Sequence, residues 1–145
     1  MIVESDIPVS WRTRPRGFAA LMSLYETNYL RLVALAGDPS LLAGQYRSCV
    51  PGDCELVLSV LGQSPYTLEL AMSYLLPVAG AGTERLPDLR LRLYRDARVL
   101  EVLPLPGEEA GADARGLQRR WARNLLLNKW LEYLAGHAHR FQSCC

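Results

Sequence analysis

A chain of 145 residues, half of them hydrophobic and 21% charged, has globular composition and enough length for one core. That balance excludes a disordered or fibrous chain, and a net charge of +1 argues against a broadly basic nucleic-acid surface. Apolar stretches are interrupted well short of the ~20 residues that a membrane-spanning helix needs.

Met1-Ile2-Val3-Glu4-Ser5-Asp6 is acidic and lacks an apolar export core, so a cytoplasmic protein is expected. Of the 16 basic residues only Lys129 is lysine, a bias that codon usage explains without a functional cause. Cys49, Cys54, Cys144 and Cys145 are therefore expected as thiols in a reducing compartment.

Residues 1–14 read as a lead, 15–141 as a single α+β domain and 142–145 as a tail. Phe18, Leu21, Tyr25, Tyr29, Leu32 and Leu35 recur at steps of three and four, which predicts an amphipathic helix near 15–36. Thr13 would cap it, Pro15 suits its first turn and Gly37 ends it. Glu26, Thr27 and Arg31 fall off the stripe and should face water.

The period then changes to two. Gln45 to Cys49 leads into Val50-Pro51-Gly52-Asp53, whose Pro-Gly pair signals a type II turn. Along 54–61, Cys54, Leu56, Leu58 and Val60 share one face. Along 66–74, Leu68, Leu70, Met72 and Tyr74 point inward, with Thr67, Glu69, Ala71 and Ser73 outward. Gly62-Gln63-Ser64-Pro65 turns between them, and such short turns require antiparallel neighbours. Residues 75–87, with Pro77, Gly80, Gly82 and Pro87, read as a long mobile loop. Leu89, Leu91 and Leu93 alternate with Arg90 and Arg92, and Arg95-Asp96-Ala97 connects to a returning strand from Val99 to Leu103. Five strands in a meander follow. Glu55, Glu69 and Glu101 share the outer face with Arg90 and Arg92, so cross-strand ion pairs are expected.

A Pro/Gly linker around 104–111 precedes a second helix near 113–139, with Asp113 as its cap. Leu117, Trp121, Leu125, Leu131 and Leu134 form its stripe, widened by Leu127 and Trp130. The fold class is thus two-layer α+β, a five-stranded antiparallel meander flanked by an N-terminal and a C-terminal amphipathic helix.

Leu21-Met22-Ser23-Leu24-Tyr25-Glu26-Thr27-Asn28-Tyr29, Leu91-Arg92-Leu93-Tyr94-Arg95-Asp96-Ala97 with Val99, Glu101 and Val102, and Asn128, Trp130, Leu131, Tyr133 and Leu134 together resemble the YqiB-like family of bacterial proteins. The resemblance spans most of 17–136 and is most specific in the hairpin segment. It implies a small cytosolic bacterial protein of unknown function and brings no catalytic residues with it.

Candidate sites are few. His137 and His139 with Cys144 and Cys145, extended by Cys49 and Cys54, have the residue types of a zinc site. The spacing does not fit: the cysteines 144 and 145 are adjacent, and two histidines two apart on a helix diverge by about 200°. No metal and no cofactor is expected. Cys49 and Cys54 bracket a turn and read as two reduced thiols. Arg12, Arg14 and Arg16 would join Arg115, Arg119, Arg120 and Arg123 into a phosphate-binding patch if the helices pack side by side. A solvated helix face explains the same arginines, and no reading motif accompanies them.

Arg90, Arg92, Arg95, Asp96 and Glu101 form a polar constellation about the hairpin, although Asp96 in a tight turn ordinarily binds its own backbone. Tyr25, Asn28 and Tyr29 are placed to line a ligand crevice on the first helix, or to be core with a hydrogen-bonded rim. No P-loop, nucleophile elbow or HExxH motif occurs. The leading expectation is a non-catalytic binding or adaptor domain with a protein partner or a second copy of itself. The alternatives are a small-ligand sensor or enzyme with a pocket between sheet and helices, and nucleic-acid association through the arginines.

Overall fold

The computed structural model describes residues 17–80, 82–108 and 114–143. Helix α1 (Phe18–Ala36) leads through a 3-10 turn (Pro39–Leu41) into β1 (Gln45–Ser48), β2 (Glu55–Gln63), β3 (Thr67–Pro77), β4 (Thr83–Tyr94) and β5 (Val99–Val102). Helix α2 (Ala114–Gly136) and a short β6 (Gln142–Ser143) follow. All strand pairs are antiparallel, in the order β5-β4-β3-β2-β1-β6. The meander from β1 to β5 is the expected one. β6, from residues expected in a tail, adds a sixth strand beside β1.

The turn chemistry explains the register. Gly52 takes φ +84°, and the Asp53 amide donates to the Val50 carbonyl at 3.3 Å, as a Pro-Gly type II turn requires. Continuing the β1–β2 register past Ser48↔Leu56 sets Cys49 opposite Glu55, its thiol donating to that carboxylate. Cys49 and Cys54 thus lie on opposite faces of the hairpin, and both are free. The long loop foreseen over 75–87 is much shorter. β3 runs to Pro77 and β4 begins at Thr83, because a register shift between Ser73 and Leu75 absorbs Leu86 and Pro87 without ending the ladder.

Both helices cover one face of the sheet. Leu32 and Leu35 of α1, with Leu127, Leu131 and Leu134 of α2, meet Leu56, Leu58, Leu68, Leu70, Met72, Leu91, Leu93 and Leu100 in one core. Each such leucine contributes about 1.5–3 kcal/mol before conformational entropy is counted. The helices run parallel: Asn28 meets Asn128 at 3.0 Å and Arg31 meets Glu132 at 3.4 Å, so contacts advance together along both. Thr27 returns its hydroxyl to the Ser23 carbonyl, and Glu26 is exposed.

Two boundaries differ from expectation. Gly17, with no side-chain bond, occupies the α1 N-cap, while Thr13 and Pro15 lie outside the described residues. α2 ends at Gly136, and Ala138 at φ +65° turns the chain so that His139 points inward. The outer face also differs in burial. Val57, Ala71 and Ser73 point away from the helices yet are buried, because long neighbours stand beside them. Arg47 pairs with Val57 and Arg90 with Ala71 across the ladder, and their stems cover these small side chains. The expected charge pairing is present as Arg92–Glu69 at 2.9 Å across β3 and β4, and as Arg47–Glu55 at 2.7 Å across β1 and β2.

Candidate functional site

A cleft of about 690 Å³ opens between the outer side of α1, the 38–40 turn and the β4–β5 hairpin tip. That volume falls in the range of small-molecule sites. Its α1 wall carries Glu26, Tyr29, Leu30 and Val33, and its hairpin wall carries Arg95 and Arg98.

Local sequence explains the shape. Asp38 caps the 3-10 turn, accepting the Ser40 amide at 3.0 Å and the Ser40 hydroxyl at 2.7 Å. Those bonds hold the Asp38 carboxyl below its ordinary range. At the hairpin, Asp96 accepts the Ala97 amide at 2.9 Å, and the Arg98 amide donates to the Tyr94 carbonyl at 2.9 Å. Arg98 adopts φ +55°, a left-handed conformation uncommon for a non-glycine residue. Arg95 donates to the carbonyls of Ser64 and Pro65 at 2.6 and 3.2 Å, which braces the tip against the β2–β3 turn.

What remains is a set of uncommitted groups. The side chains of Glu26 and Arg98 and the Tyr29 hydroxyl make no hydrogen bond or salt bridge among the described residues. Beside them Leu30 and Val33 are 66% and 37% exposed. The walls thus offer a cation, a carboxylate, a phenol and an apolar strip, which suits recognition and contains no nucleophile poised by a base.

Of the residues singled out from sequence, the cleft gathers Tyr29 and Arg95. Asn28 is fully buried and belongs to a structural network. Its amide donates to the Leu100 carbonyl at 3.4 Å and to Asn124 Oδ1 at 3.4 Å, and its own oxygen accepts from Asn128. Asn124 Oδ1 accepts the Val102 amide at 2.9 Å, so three asparagines join both helices to β5.

A second group forms where α1, α2 and β5 meet. Tyr94 donates to Glu101 at 2.6 Å, and Glu101, Arg120 and Arg123 lie within electrostatic reach of Tyr25. Burial, reinforced by Glu101, raises Tyr25 to about 12. Arg92 is engaged by Glu69 and Arg90 by Asp88. Arg123 pairs with Glu108, Arg119 is also engaged, and Arg115 is exposed. Arg12, Arg14 and Arg16 lie outside the described residues, as do Cys144 and Cys145.

Sequence reasoning missed a third group. His139 Nδ1 lies 2.8 Å from Ser48 Oγ, and Nε2 lies 2.9 Å from Asp53 Oδ2. Tyr74 donates to the same Asp53 oxygen at 3.0 Å, and the Arg140 amide donates to Ser48 Oγ at 2.8 Å. Burial acts to raise the Asp53 carboxyl, but the bonds from His139, the Cys54 amide and Tyr74 outweigh it and hold the group low. Serine, histidine and aspartate are the residue types of a hydrolytic triad. Here Ser48 is 3% exposed and its oxygen already accepts a backbone amide, so the set is a structural lock. No local signal marks it in the sequence, since His139 lies 91 residues from Ser48 and 86 from Asp53. His137 instead stacks on Tyr133, and among the described residues no cluster of three His, Cys, Asp or Glu side chains is placed to hold a metal.

Residues 31–140 match the family model described as a protein of unknown function (DUF1249). The fold defines an α+β domain, and the chain belongs to that DUF1249 family. No curated protein and no solved structure matches it significantly. Among the described residues no helix is long and apolar enough to cross a membrane.

Proposed function

We propose that this domain is a non-catalytic binding module and that the α1–hairpin cleft is its recognition face. One observation carries the reading: Glu26, the Tyr29 hydroxyl and Arg98 reach the cleft with no hydrogen bond or salt bridge among the described residues, Arg98 lying only within electrostatic reach of Asp38, next to exposed Leu30 and Val33. Arg90, Arg92, Tyr94 and Arg95 of the hairpin are by contrast engaged by neighbours. An amphipathic ligand, either a small molecule or a segment of a partner protein, would satisfy both the charges and the apolar strip.

The LRLYRDA segment at 91–97 supports placing the chain in the YqiB-like branch, and with it a bacterial origin and a cytoplasmic location. Free Cys49 and Cys54 agree with a reducing compartment.

Affinity capture from source cells with wild type and with Glu26→Ala/Arg98→Ala tests the reading. Neither changed side chain makes a hydrogen bond or salt bridge among the described residues, so the variant should keep the fold, with a urea midpoint near that of wild type. A species retained by wild type and lost by the variant supports the cleft. Equal retention by both, or none by wild type, overturns it.

A further inference from the structure

A second, smaller cleft of about 380 Å³ lies over the opposite edge of the sheet, where β6 joins β1. Arg47, Ser48, Cys49, Val50, Arg140 and Gln142 form most of its wall, with no Asp or Glu among the described residues lining it. Arg47 and Gln142 are direct partners in the β1–β6 ladder. Arg140 lies two residues before Gln142, ahead of β6, and both arginines line the same concavity.

The electrostatic balance favours an anion. Arg47 shares its charge with Glu55 at 2.7 Å. Arg140 has no side-chain hydrogen bond or salt bridge among the described residues. Among the described residues the lining thus carries two guanidinium groups and no carboxylate, together with the carboxamide of Gln142.

The wall is also held rigidly from beneath. The Arg140 amide is fixed on Ser48 Oγ, Ser48 on His139 Nδ1, and His139 on Asp53, which Tyr74 also binds. The left-handed Ala138 starts the segment that this lock holds in place. A binding residue whose backbone is fixed by buried hydrogen bonds loses less entropy when it captures a ligand.

We propose that this edge cleft is an oxyanion-binding site, in which Arg140 and Arg47 hold a phosphate or carboxylate group with Gln142 beside them. The buried Ser48–His139–Asp53 chain acts as its positioning support. This site is separate from the α1–hairpin cleft and stands or falls independently of it.

The test titrates isotope-labelled full-length protein with sodium phosphate, and separately with sodium acetate. Ionic strength and pH are held constant, with sodium chloride as control. Saturable amide shifts at Arg47, Cys49, Val50, Arg140 and Gln142 are expected with at least one of the two oxyanions and not with chloride. The stronger binder identifies which chemistry the site takes. Arg140→Ala should weaken that binding about tenfold or more, as expected for loss of a charge-assisted contact, with the remaining spectrum unchanged. Arg140→Lys should recover only part of it, because lysine lacks the planar two-pronged donor. Cys49 is exposed in the same wall, so bound oxyanion should slow its alkylation, localised by peptide mass spectrometry. No saturable shift with either oxyanion, equal shifts with chloride, or unchanged affinity in Arg140→Ala overturns the proposal.

Discussion

The His139 imidazole stands 2.9 Å from the Asp53 carboxylate, joining the segment after α2 to the β1–β2 turn across 86 residues of sequence. The His139 side chain is wholly removed from solvent, and its other ring nitrogen faces Ser48. Replacing it removes one of the two side-chain donors to Asp53 Oδ2, leaving Tyr74 alone there, and deprives the buried Ser48 hydroxyl of its acceptor. Leaving a buried polar group unsatisfied costs about 1–3 kcal/mol. His139→Ala should therefore destabilise the domain by roughly that amount or more, measured as a lower urea midpoint. Arg92→Ala breaks a half-exposed pair with Glu69 and should cost at most about 1 kcal/mol by the same measurement.

Acid should weaken the same lock. The folded Asp53 carboxyl lies below its ordinary value, so the native state binds its proton less readily than the unfolded chain. Its contribution is complete above the unfolded value of 3.8 and is lost as pH falls through the lower folded value. Asp38, Glu55 and Asp88 are held low too, by Ser40, by Arg47, and by bonds from Ser73 and Arg90 that overcome burial. Stability should therefore drop steeply below pH 3.8. Asp53→Asn should start less stable at neutral pH and fall less steeply on acidification, as urea midpoints across pH would show.

Base should act on Tyr25. Burial and Glu101 raise its phenol to about 12, so the folded state holds that proton longer than the unfolded chain. The associated stability is complete below the unfolded value of 10.0 and is lost as pH rises toward 12. Tyr25→Phe should flatten the alkaline side of the stability profile, and ultraviolet titration should lose one late-ionising phenol.

The asparagine network is uneven. Asn124 binds the Val102 amide and the Arg120 carbonyl, whereas Asn128 donates once to Asn28 and its own oxygen has no partner. Asn124→Ala should consequently cost more than Asn128→Ala, by about 1 kcal/mol or more in urea denaturation.

Much of the architecture is legible because it is written in local periodicity. Leu68, Leu70 and Met72 alternate with Glu69 and Ala71, and that alone sets which face of β3 meets the helices. Pro51-Gly52 encodes its turn through the φ +84° that glycine takes at no steric cost. The core side of α1 is equally plain from Leu21, Leu32 and Leu35. By contrast, the site residues are tertiary. Arg98 matters because the left-handed hairpin tip sets it against α1, and nothing within a few residues of it announces that neighbour. The sequence places His139 on the second helix because the apolar pattern overruns Gly136. The stop is made by the turn at Ala138, and the inward pull comes from Asp53 and Ser48 far away in the chain. Asn28 looked like a crevice residue, since its partners Asn124 and Asn128 lie about 100 positions on.

The central claim, that recognition occurs in the α1–hairpin cleft, is tested most directly by a photo-crosslinking amino acid placed at Val33 in the full chain within source cells. A matching probe at exposed Leu61, on β2, serves as control. The account predicts a discrete adduct from position 33 that is absent from position 61 and disappears with Glu26→Ala/Arg98→Ala. No adduct at 33, or the same adduct from both positions, would contradict it.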